Sequence, residues 1–139
     1  MANNPYQKYK NMQVETASQE KLLIMLYNGA IKFTKQAKTG ITKEDYELVN
    51  NSLGRVQAII TELRTTLDEE NGGEIAQNLD ALYEYMNRRL ITANVEKDIE
   101  PITEVLDMLQ ELKDTWQQAI KKAKSNNQSP ENGGVNIEG

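Results

Sequence analysis

The sequence predicts an all-α fold: an antiparallel up-down-up-down four-helix bundle over residues 18–123, preceded by an N-terminal arm (1–17) and followed by a disordered tail (124–139). Three observations carry this. Four stretches place apolar residues three and four positions apart, which is the spacing of one helix face. The links between them are short, about three to five residues, and short links make successive helices antiparallel neighbours. Proline occurs only at positions 5, 101 and 130, so no predicted helix interior is broken.

The arm is polar, with isolated Tyr6, Tyr9, Met12 and Val14 and no sustained period. Tyr6 and Tyr9 are three apart, so one helical turn presents both on one side. The arm is either free or docked on the body through these two rings. The first helix is predicted from Ser18, a good N-cap, to about Lys38, with Gly40 as the left-handed residue that stops it. It holds the most apolar window of the chain, residues 22–33. Wound at about 100° per residue, that window splits. Leu22, Met25, Leu26, Gly29, Ala30, Phe33 and Ala37 fall on one arc, expected to face the bundle. Leu23, Ile24, Tyr27 and Ile31 fall on another, which is either a wide bundle face or a surface for a second partner.

The second helix is predicted to begin at the cap Thr42 and to carry a heptad seam of Tyr46, Val49, Leu53, Val56, Ile60, Leu63 and Leu67. Leu48 and Ile59 lie off this seam. The acidic run of Asp68, Glu69 and Glu70 with Gly72 and Gly73 forms the strongest break in the body. The third helix is predicted from Glu74 to Ala93, with Asn94 as C-cap and a seam of Ile75, Leu79, Leu82, Met86, Leu90 and Ala93. Tyr83 and Tyr85 flank that seam, as core-edge residues or as a groove lining with wet hydroxyls. Arg89 falls on the apolar arc, where it needs a carboxylate or carbonyl partner. Asp98 caps the fourth helix, Pro101 sits in its first turn, and Ile102, Val105, Leu109, Leu112, Trp116, Ala119 and Ala123 form its seam.

Composition narrows the chemistry. The chain has 139 residues with a net charge of −5, which disfavours broad binding to nucleic acid or anionic membrane. It has no cysteine and no histidine, which removes thiolate chemistry, zinc sites, histidine bases and the Glu-x-x-His pairs of di-iron bundles. No phosphate-binding glycine loop is present, and the run at 68–70 lacks the ligand spacing of a calcium loop. The start of the chain has neither a basic nor an apolar leader region, and the apolar window is too short to span a bilayer. A cytoplasmic protein without cofactor, metal, enzymatic activity or membrane insertion is expected. Its function then rests on helix faces that hold a helical or extended client, with the arm as a tethered cover for the cleft.

Several blocks together resemble one family. These are Asn4-Pro5-Tyr6-Gln7-Lys8-Tyr9, the run LLIMLYNGAI at 22–31, the run LYEYMNRRL at 82–90 followed by Ala93 and Asn94, and Trp116 with Ala119. In this order and spacing, covering about residues 3–123, they are similar to the flagellin export chaperones called FliS. Gln19 stands where the family often has a proline after the capping residue, and Glu84 where it often has Asp. The resemblance implies a cytoplasmic chaperone that binds the C-terminal segment of flagellin, prevents premature polymerisation and presents the subunit to the export gate of the flagellar type III apparatus. It implies client contact through Leu23, Tyr27 and Ile31, with Tyr83, Tyr85 and Arg88 behind them, Tyr6 and Tyr9 as the displaceable cover, and Arg89 as structural. A second reading is a regulatory adaptor that binds an anti-sigma factor or flagellar assembly regulator.

Overall fold

The computed structural model describes the backbone of residues 5–129 and the side chains of residues 19–125 other than Glu69. Four helices follow in order: α1 (Pro5–Lys43), α2 (Tyr46–Thr65), α3 (Glu69–Glu96) and α4 (Ile99–Ser129). No strand occurs among the described residues. Successive helices are joined by tight turns, and the fold is the helical bundle that the seams predict.

Helix α1 is longer than its sequence signals suggest. Its backbone runs unbroken from Pro5, so Ser18 lies within the helix and does not cap it. Gly40 does not stop it either. The left-handed residue is Glu44 (φ 58°). Asp45 N–H donates to Gly40 O at 2.8 Å and Glu44 N–H to Ile41 O at 3.1 Å, which together form a Schellman closure. Gly40 is needed for a different reason: a Cβ there would lie 2.8 Å from Val49 Cγ2 and 3.1 Å from Asp45 O. Its missing side chain lets the start of α2 approach. Thr42 also falls inside α1, its Oγ1 donating to Lys38 O at 3.2 Å. The cap of α2 is Asp45, whose Oδ1 accepts from Leu48 N–H at 3.2 Å.

The break before α3 is real but displaced. Asp68 caps one helical turn by accepting from Asn71 N–H at 3.2 Å, and the chain then kinks at Gly73 (φ 56°, ψ −133°). At the other end α3 closes on Lys97 (φ 53°), beyond the expected Asn94, with Asp98 N–H donating to Ala93 O at 3.1 Å. The Lys97 ammonium offsets that backbone conformation by donating to Asn94 O and Asn94 Oδ1, each at 2.7 Å, and to Asn50 Oδ1 at 2.9 Å. Asp98 marks the start of α4 as expected, accepting from Glu100 N–H at 3.0 Å. Helix α4 continues through residues 124–129, and residues 130–139 of the expected tail lie outside the described residues.

The chain divides into two compact units, Met25–Gln110 and a second comprising Met1–Ile24 with Glu111–Gly139. In the first, parts of all four helices enclose one core. Helix α2 supplies Val49, Leu53, Val56, Ile60 and Leu63, all fully buried, so its heptad seam is read correctly except at exposed Tyr46 and half-buried Leu67. Helix α3 supplies Ala76, Tyr83, Met86, Leu90 and Ala93, while Ile75 and Leu82, expected in its seam, are exposed. Both Leu82 and Tyr83 fit a three-and-four spacing to Met86, and burial goes to the residue whose hydroxyl finds a partner inside. Helix α4 supplies Ile102, Val105, Leu106 and Leu109. In the second unit, Leu23, Ile24, Leu112 and Trp116 are half-buried and Leu22 is exposed.

Candidate functional site

The two arcs of α1 exist, but their assignment changes. Tyr27, Ala30, Thr34 and Ala37 are fully buried. Met25, expected to face the bundle, is 59% exposed, and Leu22 is 49% exposed. The buried line is thus centred between the two predicted arcs. The deciding group is Tyr27, whose hydroxyl meets that of Tyr83 inside the core. A buried hydroxyl is costly without such a partner. Sequence spacing cannot show a partner 56 positions away.

The predicted client residues therefore sit in three settings. Tyr27 and Tyr83 form the buried hydroxyl pair of the larger unit. Ile31 is half-buried on α1. Tyr85 and Arg88 lie on the outer side of α3, with the Arg88 guanidinium 5.8 Å from the centre of the Tyr85 ring. Leu23 is half-buried and belongs to the smaller unit. The side chains of Tyr6 and Tyr9 lie outside the described residues, and with them the expected covering contact.

The rim of α3 is fastened to α4 by charge. Tyr85 Oη donates to Glu104 Oε2 at 2.5 Å, and Arg89 Nε donates to Glu104 Oε1 at 2.7 Å. The carboxylate or carbonyl partner that the place of Arg89 in the sequence demanded is thus a carboxylate. The hydroxyl of Tyr85 and then the guanidinium of Arg89 hold the Glu104 carboxyl below its ordinary range. The same bond raises the Tyr85 phenol, since losing its proton would set an anion beside Glu104. A second clamp, Arg64 to Asp80 at 2.7 and 3.1 Å, joins α2 to α3 in bidentate fashion and lowers the Asp80 carboxyl.

A further face was not singled out from the sequence. Met25 continues along α1 into Gly29 and Phe33, beside α2. A Cβ on Gly29 would lie 3.3 Å from Ile59 Cδ1, so the helices meet closely there. The Phe33 ring lies 5.1 Å from the Arg55 guanidinium and 5.5 Å from the Lys32 ammonium. The signal was present in the apolar arc 22–37, but it was assigned to the interior.

Fold and faces together define a helical bundle that presents apolar and charged helix surfaces outward. Among the described residues no cluster of acidic side chains has the arrangement of a metal site, and no helix is long and apolar enough to cross a membrane. The chain belongs to the FliS family: the family model for the flagellar protein FliS matches residues 2–123. A flagellar secretion chaperone FliS of Bacillus subtilis (strain 168) is 39% identical over 118 residues, covering 85% of this chain and 87% of the relative. A flagellar secretion chaperone FliS of Campylobacter jejuni is 38% identical over 119 residues, covering 85% of this chain and 93% of the relative. One from Salmonella typhimurium is 38% identical over 111 residues, covering 79% and 82%. Membership supports an export-chaperone role in flagellum biogenesis.

Proposed function

We propose that this protein binds the C-terminal segment of flagellin in the cytoplasm, keeps it from polymerising and presents it to the export gate of the flagellar type III apparatus. Family membership supports a client within the flagellar secretion system. The observation that carries the reading is a partly exposed apolar stripe of α1, where Met25 is 59% exposed and leads to half-buried Gly29 and Phe33. A client that forms helices on binding can lay apolar residues against such a stripe. Leu23, Ile31, Tyr85 and Arg88 offer further contact surface, and Tyr27 and Tyr83 support the bundle beneath it. Tyr6 and Tyr9 act as the displaceable cover. No step requires catalysis or a cofactor.

Titration calorimetry and circular dichroism of the protein mixed with the C-terminal segment of its cognate flagellin test this. One-to-one binding with a gain of helix is expected, weakened at least tenfold in Met25→Ser with an unchanged melting temperature. No heat of binding, together with a spectrum equal to the sum of the parts, would overturn it.

A further inference from the structure

The C-terminal part of α1 carries a cationic feature outside the stripe proposed for the client. Lys35, Lys38 and Lys43, with Thr39 and Thr42, line a cleft of about 420 Å³ whose apolar wall is Leu106 of α4. All six residues belong to the Met25–Gln110 unit. The cleft is open to solvent rather than enclosed. In a chain of net charge −5, this rim reverses the prevailing sign. Three cations elsewhere hold polar partners: Arg64 with Asp80, Arg89 with Glu104, and Lys97 with Asn50 and Asn94. Among the described residues, Lys35, Lys38 and Lys43 have no carboxylate at ion-pair distance.

The helix dipole explains only part of this. Cations are favoured in the last turn, which accounts for Lys43. The effect fades within one turn, so it does not account for Lys35 and Lys38. At a rise of ~1.5 Å per residue, Lys35 and Lys43 lie ~12 Å apart along the axis. An extended peptide covers that distance in about four residues at ~3.3 Å each. Leu106 is 7% exposed, so it closes the floor of the cleft from within the core.

We infer that this cleft docks an extended acidic segment of a partner protein, with carboxylates on Lys35, Lys38 and Lys43. The site is separate from the α1 stripe assigned to flagellin.

A fluorescein-labelled peptide of alternating Glu and Leu serves as the probe, followed by anisotropy with the full chain. Binding is expected at low salt, with marked weakening as screening shortens the reach of each charge. The triple variant K35Q/K38Q/K43Q should lose at least tenfold in affinity while keeping its melting temperature and its binding of the flagellin segment. In the unaltered protein, the peptide should shift the amide signals of 35–43 and the Leu106 methyls. Unchanged affinity in the variant, or shifts confined to other regions, would overturn the proposal. So would a thymidine oligonucleotide of equal charge that binds as tightly and is lost equally in the variant, since that marks general polyanion attraction.

Discussion

Tyr83 and Tyr85 are two residues apart on α3, and their surroundings are opposite. Two positions on a helix differ by about 200°, so one ring points inward while the other lies at the rim. Tyr83 is 1% exposed and shares a hydrogen bond with the Tyr27 hydroxyl, a neutral partner in an apolar core. Tyr85 is half-buried and donates to a carboxylate, with one arginine near its ring and another on the same carboxylate. The inner tyrosine contributes through buried area and through one hydroxyl contact that fixes which helix faces meet. The outer one contributes through charges that water and salt weaken. Stability belongs to the first; the second offers an adjustable surface.

Truncating each ring should separate these roles. Tyr83→Ala is expected to cost ~3–5 kcal/mol, the range for removing a large buried aromatic, read as a lower urea midpoint. Tyr85→Ala should lower the midpoint far less in the same assay, because its ring is only half-buried and its hydroxyl contact lies at the rim. Equal losses would break the distinction between core and rim. Tyr27→Phe comes next in size. It keeps the ring and removes the hydroxyl shared with Tyr83, with an expected cost of ~0.5–1.5 kcal/mol. No loss would mean that the hydroxyl contact does not help set the register of α1 on α3.

The same pair explains what the sequence could show. The seam of α2 was legible because its buried positions are aliphatic and its spacing admits one reading: Val49, Leu53, Val56, Ile60 and Leu63 are all buried. Helices α1 and α3 were not, because each offers two overlapping sets at helical spacing, and tyrosine fits either side. Arg89 was read as needing a carboxylate or carbonyl partner, but Glu104 could not be named without the packing of α4 on α3. The helix ends misled for a related reason. Glu44 and Lys97 adopt left-handed backbone without being glycine, held by Schellman bonds and, at Lys97, by three oxygen acceptors. Gly40 looked like a terminator but serves close approach.

The smallest effect expected tests the rim by pH. The folded protein holds the Glu104 carboxyl below its ordinary value of 4.5, chiefly through the Tyr85 hydroxyl and then through Arg89. A depressed carboxyl stabilises the fold where it is ionised in both folded and unfolded chains, that is, above its ordinary value. The contribution is lost as pH falls from there through the lowered folded value. Glu104→Gln should therefore melt below the parent at pH 7, and the two melting curves should converge in acid. The part of the gap due to Arg89 should also shrink at about 1 M salt, because the Arg89 and Glu104 side chains are 32% and 38% exposed, while the part due to the neutral Tyr85 hydroxyl should remain. Asp80, lowered by Arg64, and Asp68, lowered by Asn71, continue to titrate in both proteins, so each curve keeps an acid limb and only their difference reports Glu104. A gap that persists unchanged into acid would show that Glu104 acts through packing of its stem. The rim would then resemble the Tyr27–Tyr83 core in kind and differ only in degree.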